Sequence, residues 1–198
     1  MPAIIEDTRQ HAGKHDAKHG WFAAHGIEVV RRKLDSGDYM RDGSNVTVDT
    51  KASVDEVAGN MSAGHRRFRN ECIRARDAGL RLVVLVENMQ GFAKTGDLYR
   101  WTNTHCATCH VRQSARCNPR AAGKCPRHRK NKPIQGDRLA AAMTAMERKY
   151  GVRFEFCRPE DSARRICELL GVEYEQDAGC RAQAAFDGLQ DAPDQAGN

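Results

Sequence analysis

The sequence predicts an α/β protein with a mixed central sheet flanked by helices, and three observations predict it. Strand-like and helix-like segments alternate along most of the chain. Arg81-Leu82-Val83-Val84-Leu85-Val86-Glu87 is a nearly continuous apolar run of strand length, which suits a central strand covered on both faces. Asn45 to Asp49 alternates polar and β-branched residues, and Arg41-Asp42-Gly43-Ser44 before it carries the Asp-Gly pair of a hairpin turn.

Taken in order, Ala3-Ile4-Ile5-Glu6-Asp7 reads as a first strand, and His11 to Ala24 as a helix ended by Gly26. His11, His15 and His19 share one face of that helix. With no carboxylate or cysteine to complete a ligand set, they read as a solvated face between Lys14 and Lys18 rather than a metal stripe. Ile27 to Arg31 is a second strand, leading through Leu34 to Tyr39 into the hairpin. Ser53 and Glu56 have the spacing of a capping box opening a helix. Met61 to Ala78 is a further helical stretch, with Phe68, Cys72 and Ile73 on its buried edge and arginines elsewhere. After the Arg81–Glu87 strand, Gly136 to Tyr150 is a helix and Val152 to Phe156 alternates as a strand. Pro159 to Leu170 is a last helix, with Gly171 as its stop.

Composition narrows the class. The chain has 198 residues, 40% of them hydrophobic, a net charge of +6 and no apolar run long enough to span a bilayer. The short acidic N-terminus does not read as a signal peptide, so a cytoplasmic or nucleoid-associated protein with no membrane is expected. Positive charge favours an anionic partner, nucleic acid first. It is also segregated: Tyr99 to Lys132 holds nine Lys/Arg and no acid, whereas Glu173 to the end holds six acids and one Arg. The expected organisation is a main domain over 1–98 and 133–172, a basic cysteine-rich insertion over 99–132, and an acidic tail without fixed structure over 173–198.

The insertion contains Cys106-Ala107-Thr108-Cys109, then Cys117, then Cys125-Pro126-Arg127-His128. Four cysteines in 20 residues with almost no apolar neighbours suit a structural, tetrahedral Zn²⁺. Two ligand sets fit: Cys106, Cys109, Cys117 and Cys125, or Cys106, Cys109, Cys125 and His128. Arg112, Arg116, Arg120, Arg127, Arg129 and Lys130, with Arg66 and Arg67 of the arginine-rich helix, are candidates for following a phosphate backbone. Cys72, Cys157 and Cys167 lie in apolar patterns and read as core.

The hairpin itself carries chemistry. Asp49 and Lys51 are two apart on one strand and project together, with Asp38 delivered from the neighbouring arm. Two carboxylates for a divalent cation and an ammonium beside them are the parts a phosphodiester-cleaving site needs. Asp38 and Asp49 are the candidate Mg²⁺ (or Mn²⁺) ligands, with the Thr50 carbonyl as a third, and Lys51 the group that orients water or stabilises charge.

With Asp7-Thr8-Arg9-Gln10, Gly37-Asp38-Tyr39, Val48-Asp49-Thr50-Lys51, Asp55, and the apolar strand ending in Glu87 in that order, the chain resembles the XPF family of structure-specific DNA endonucleases. That resemblance implies a restriction-endonuclease-like fold with a PD-(D/E)-x-K site and a Mg²⁺-dependent endodeoxyribonuclease. Asp7 and Arg9 join the site as support for the metal and contact for phosphate, and Asp55 helps to position Lys51 or the helix start. DNA is the implied partner, with a homodimer or a helper protein supplying structure specificity. The chain departs from the family pattern at Gln10 (for Glu), Asp49 (for Glu) and Thr50 (for Arg). The missing charges at Gln10 and Thr50 keep a second class in view, a catalytically inactive DNA-binding or scaffold protein that retains the fold.

Overall fold

The computed structural model describes residues 3–9, 15–113, 117–121, 123–128 and 130–174. Six strands form one sheet: β1 (Ala3–Glu6), β2 (Glu28–Arg31), β3 (Tyr39–Arg41), β4 (Val46–Lys51), β5 (Arg81–Glu87) and β6 (Arg153–Cys157), in the order β2-β1-β3-β4-β5-β6. β3 runs antiparallel to β1 and β4, while β2 pairs parallel with β1, and β5 pairs parallel with β4 and β6. The expected mixed sheet with flanking helices is the fold observed.

Seven α-helices accompany it among the described residues: α1 (Asp16–Ala24), α2 (Val54–Asn60), α3 (His65–Asp77), α4 (Thr104–Ala107), α5 (His110–Gln113), α6 (Gly136–Tyr150) and α7 (Ser162–Leu170). β5 explains the layering. Leu82, Val84 and Val86 pack into a cluster with α2, α3 and α6, whereas Val83 and Leu85 pack into a second cluster with Phe22 of α1 and Ile166 of α7. Alternate side chains of one strand therefore serve two cores, which is why its sequence is apolar at every position from Leu82 to Val86. Each such buried side chain contributes about 1.5–3 kcal/mol.

Three helix boundaries differ from the sequence expectation. The first helix begins at Asp16, and the stretch 10–14 lies outside the described residues. The expected Met61–Ala78 helix starts only at His65, because Met61 to Gly64 form turns, with the Gly64 N–H donating back to the Gly59 carbonyl. The Pro159–Leu170 segment opens as a 3₁₀ turn before α7, since Pro159 sets the first turn without an N–H to give. Ser53 caps α2 as expected, its hydroxyl accepting from the Glu56 N–H.

The segment around the insertion is tied to the main core at its start. Leu98 and Trp101 are buried among the α6 side chains. Gly136 lies so close to the Leu98 and Trp101 carbonyls that a Cβ there would collide with backbone. At the other end of the chain Tyr174 packs edge-on against Trp21, with ring centroids 5.1 Å apart. Residues 175–198, most of the expected tail, lie outside the described residues.

Candidate active site

The β3–β4 hairpin forms as its sequence suggests. Tyr39 pairs with Val48 and Met40 with Thr47. The turn is closed by the Ser44 N–H donating to the Arg41 carbonyl, with Gly43 at a φ of 73°. Val46 and Val48 face the α1/α7 core. By alternation, Thr47, Asp49 and Lys51 face the α2/α3 layer. The hairpin entry also depends on Gly37, at φ 73°, where a side chain would strike Thr47. Thr47 donates its hydroxyl to the Ser36 carbonyl at 2.8 Å and fixes that approach.

On this frame the acidic groups are individually held. Asp7 is joined to the hairpin by its N–H, which donates to the Asp38 carbonyl at 2.8 Å. Its carboxylate accepts from Arg9 Nε at 2.6 Å and from the Leu34 N–H at 3.3 Å. Burial alone would raise the Asp7 pKa, but the Arg9 side chain and the Arg9 and Leu34 amides outweigh it and hold the carboxyl below its ordinary value. Arg9 also donates to the Leu34 carbonyl, so its guanidinium is engaged in orienting Asp7 while the rest of the side chain stays exposed. Asp38 accepts from both the N–H and the hydroxyl of Thr50 on one carboxylate oxygen.

Asp49 is different. One of its oxygens accepts from Lys51 Nζ at 2.7 Å. The other is buried with no hydrogen-bond partner among the described residues. Burial, with Asp38 and Glu71 adding negative charge, pushes the Asp49 carboxyl well above its ordinary value against the opposing pull of Lys51. The Lys51 ammonium is held above its usual pKa: burial works against it, and Asp49 overcomes that.

These groups line one cleft of about 410 Å³, formed by Asp7, Arg9, Gly37, Asp38, Asp49, Thr50, Lys51, Glu56, Arg67, Glu71 and Arg74. All five sequence-predicted catalytic candidates are in it. Three residues that sequence reading missed are there too. Glu71 on α3 accepts the Gly37 N–H at 3.2 Å, so it braces the hairpin entry from the helix layer. Glu56 on α2 accepts the Ala52 N–H and stands 4.0 Å from Lys51 Nζ. Arg74 donates to the Asp35 carbonyl at the cleft edge. The signal that could have found Glu71 is its place as the one acid inside the arginine-rich body of α3, Asp77 lying at the helix end.

Asp55 is a correction. It stands in the first turn of α2, and among the described contacts it does not meet Lys51. Its two oxygens accept the N–H and hydroxyl of Thr104, at 3.0 and 2.6 Å, and so hold the start of α4 at the entrance to the cysteine-rich segment.

Of the candidate DNA contacts, Arg67 lines the cleft and Arg66 is exposed beside it on α3. Arg112, Arg120, Arg127 and Lys130 are exposed on the insertion, while Arg116 and Arg129 lie outside the described residues. Arg120 donates to the Tyr99 carbonyl, and Lys132 to the carbonyls of Asn118 and Ala121. Cys106, Cys109, Cys117, Cys125 and His128 all line a second, small cavity. The core thiols stand apart from these, with burial pushing Cys72, Cys157 and Cys167 up to about 12.

Among the described residues, no three His, Cys, Asp or Glu side chains are already set in metal-ligating geometry. The acidic cleft nonetheless suits a hard divalent cation. Its donors are carboxylate oxygens, and one of them is buried and unpartnered. No helix among the described residues is long and apolar enough to cross a membrane.

Comparison with curated proteins finds no match. Among solved structures, the chain is similar to XPF from Aeropyrum pernix, with a TM-score of 0.51 and 18% identity, over 96% of this chain and 70% of that one. At that identity the likeness speaks for the fold. The ERCC4 domain matches residues 6–169, which takes in the whole sheet from the end of β1, the acidic cleft and the cysteine-rich segment. The chain belongs to the ERCC4 domain family of structure-specific DNA nucleases.

Proposed function

We propose that the chain is a metal-dependent DNA endonuclease that hydrolyses phosphodiester bonds in branched or structured DNA, in repair, recombination or a mobile element. The observation that carries this reading is the Asp49 oxygen, buried and unpartnered in a cleft shared with Asp38, Glu71 and Lys51. A structural carboxylate would find donors; this one faces a cleft where a cation and a phosphate fit.

Asp38 and Asp49 would hold a Mg²⁺ or Mn²⁺, with the Thr50 carbonyl as a further oxygen. Such an ion supplies charge neutralisation for the phosphoryl group and lowers the pKa of water. The remaining work falls to the chain. Thr50 fixes one oxygen of Asp38, leaving that carboxylate a single orientation. Lys51, bonded to Asp49, places a fixed positive charge where negative charge grows on the phosphate oxygens. Arg9 keeps Asp7 ionised and aimed, and Arg67 and Arg74 offer positive charge along the cleft to the DNA backbone.

The test is cleavage of linear, flap, splayed-arm and single-stranded DNA with Mg²⁺ or Mn²⁺, beside Asp38→Asn and Lys51→Ala. The expected outcome is metal-dependent cutting that both substitutions abolish with folding intact. Thr50, uncharged where relatives place a cation, favours the competing reading of a DNA-binding scaffold. Binding without cutting on every substrate would establish that reading instead.

A further inference from the structure

The cysteine-rich segment has a role that nuclease chemistry does not absorb. Cys106 lies on α4, Cys109 immediately before α5, Cys117 beyond it, and Cys125 in a tight turn closed by its N–H donating to the Lys130 carbonyl at 2.6 Å. A Lys124–Asn131 bridge seals that turn. The four thiols, separated along the chain, surround one cavity of about 30 Å³. That is room for a single ion or a water or two.

Two details go beyond proximity. Arg127 lines the cavity beside Cys109, and the Arg112 N–H donates to the Cys109 carbonyl at 3.1 Å. Cys106 Sγ accepts from Gln135 Nε2 at 3.4 Å. A donor aimed at sulfur orients it toward the cavity it lines. The segment also lacks another means of support. Between Thr102 and Lys132 the buried residues among those described are Asn103, Cys106 and Cys109. About thirty residues without an apolar core need a staple. The described cysteines form no disulfide.

We propose that Cys106, Cys109, Cys117 and Cys125 bind one structural Zn²⁺ as four thiolates, with the exposed His128 on the rim outside the ligand set. Soft sulfur donors select zinc over the Mg²⁺ suited to the acidic cleft. Drawing four sulfurs to the ~2.3 Å Zn–S distance is the step that the ion itself drives, so binding and ordering of the segment are one event. Each ligating thiol gives up its proton to solvent, and acid therefore releases the metal. The centre locks a segment whose entrance is already clamped to α2 by Asp55 and Thr104. It stands or falls independently of DNA cleavage.

The experiment uses the full chain, purified without chelator, with metal content measured by mass spectrometry and zinc then exchanged for Co²⁺. The expected result is one zinc per chain and a Co²⁺ form with strong sulfur-to-cobalt charge transfer in the near ultraviolet. Cys117→Ser should lose the metal and His128→Ala should keep it, each checked for retained helix by circular dichroism. Less than half an equivalent of zinc after reconstitution, or a Co²⁺ form without charge transfer, overturns the site. Both of these readouts come from the wild-type chain and survive any misfolding of a variant. Metal loss in His128→Ala with retention in Cys117→Ser overturns the four-thiolate assignment.

Discussion

Thr50 directs both of its donors, the N–H at 2.8 Å and the hydroxyl at 2.7 Å, onto a single oxygen of Asp38. The XPF pattern that the sequence resembles places an arginine at this position. Threonine replaces its charge with a short, buried, charge-assisted hydrogen bond. Thr50→Val keeps the β-branched shape and removes the hydroxyl alone. We expect it to lower stability by about 1–3 kcal/mol, the usual range for a buried hydrogen bond to a charged group. If Asp38 is then free to reorient, cleavage should slow by roughly tenfold or more, each ~1.4 kcal/mol of misplacement costing a factor of ten. Urea unfolding and steady-state cleavage measure the two effects separately. Unchanged values for both would show that the hydroxyl does not position the carboxylate.

The Asp55–Thr104 pair predicts a mechanical link between α2 and the cysteine-rich segment. Asp55→Ala leaves the Thr104 N–H and hydroxyl without their acceptor, while Asn103 still caps α4. Loss of a hydrogen bond of this kind typically costs ~1 kcal/mol. Because the contact sits at the junction, the effect should be local. Limited trypsin digestion should cut faster at Arg112 to Lys132, while thermal unfolding of the sheet domain shifts by only a few degrees. Equal protection of wild type and variant would mean that the segment is held elsewhere.

These two contacts also mark the limit of what the sequence could tell. β5 was legible because every residue from Leu82 to Val86 meets a core on one face or the other, and burial on both faces leaves an unbroken apolar run. The hairpin was legible because Asp42-Gly43 and the alternation from Asn45 to Asp49 are local signals. Glu71 was not, since its place in the cleft follows from how α3 packs on the sheet, and helix periodicity shows only that it is polar. Asp55 was assigned to its own neighbourhood because nothing local indicates a partner 49 residues away. The onset of α3 at His65 was missed because Met61-Ser62-Ala63 has no strong breaker, and the turn is set by the Gly64-to-Gly59 hydrogen bond.

Asp7 gives a pH prediction with a definite sign. Its carboxyl is held below the ordinary value in the folded chain, burial being outweighed by the Arg9 and Leu34 donors. The stabilisation is therefore fully present above the unfolded pKa of ~3.9 and is lost as pH falls through the folded value. Asp7→Asn should be less stable than wild type at pH 7, and the gap between them should close below about pH 4. Unfolding free energies for both proteins from pH 3 to 7 test this. A gap that stays constant over that range would mean that Asp7 acts through shape rather than charge.

Asp49 predicts the opposite dependence, and it ties metal to pH. Burial, with Asp38 and Glu71 nearby, raises its carboxyl well above the ordinary value against the pull of Lys51, so protons compete with Mg²⁺ for the group. An ion binding there must displace that proton, so its apparent affinity rises with pH until Asp49 ionises unaided. A ligand that binds only the folded chain stabilises it as its concentration exceeds Kd. The increment in Tm given by a fixed Mg²⁺ concentration should therefore grow as pH rises from 6 and level off once Asp49 is ionised. Asp49→Asn should abolish the increment at every pH, and Glu71→Gln, which removes one of the charges that raise Asp49, should reduce it while moving its onset to lower pH. Differential scanning calorimetry of the three proteins across that range decides the matter. A wild-type increment independent of pH would place the ion on other oxygens of the cleft, and its survival in Asp49→Asn would remove Asp49 from the ligand set.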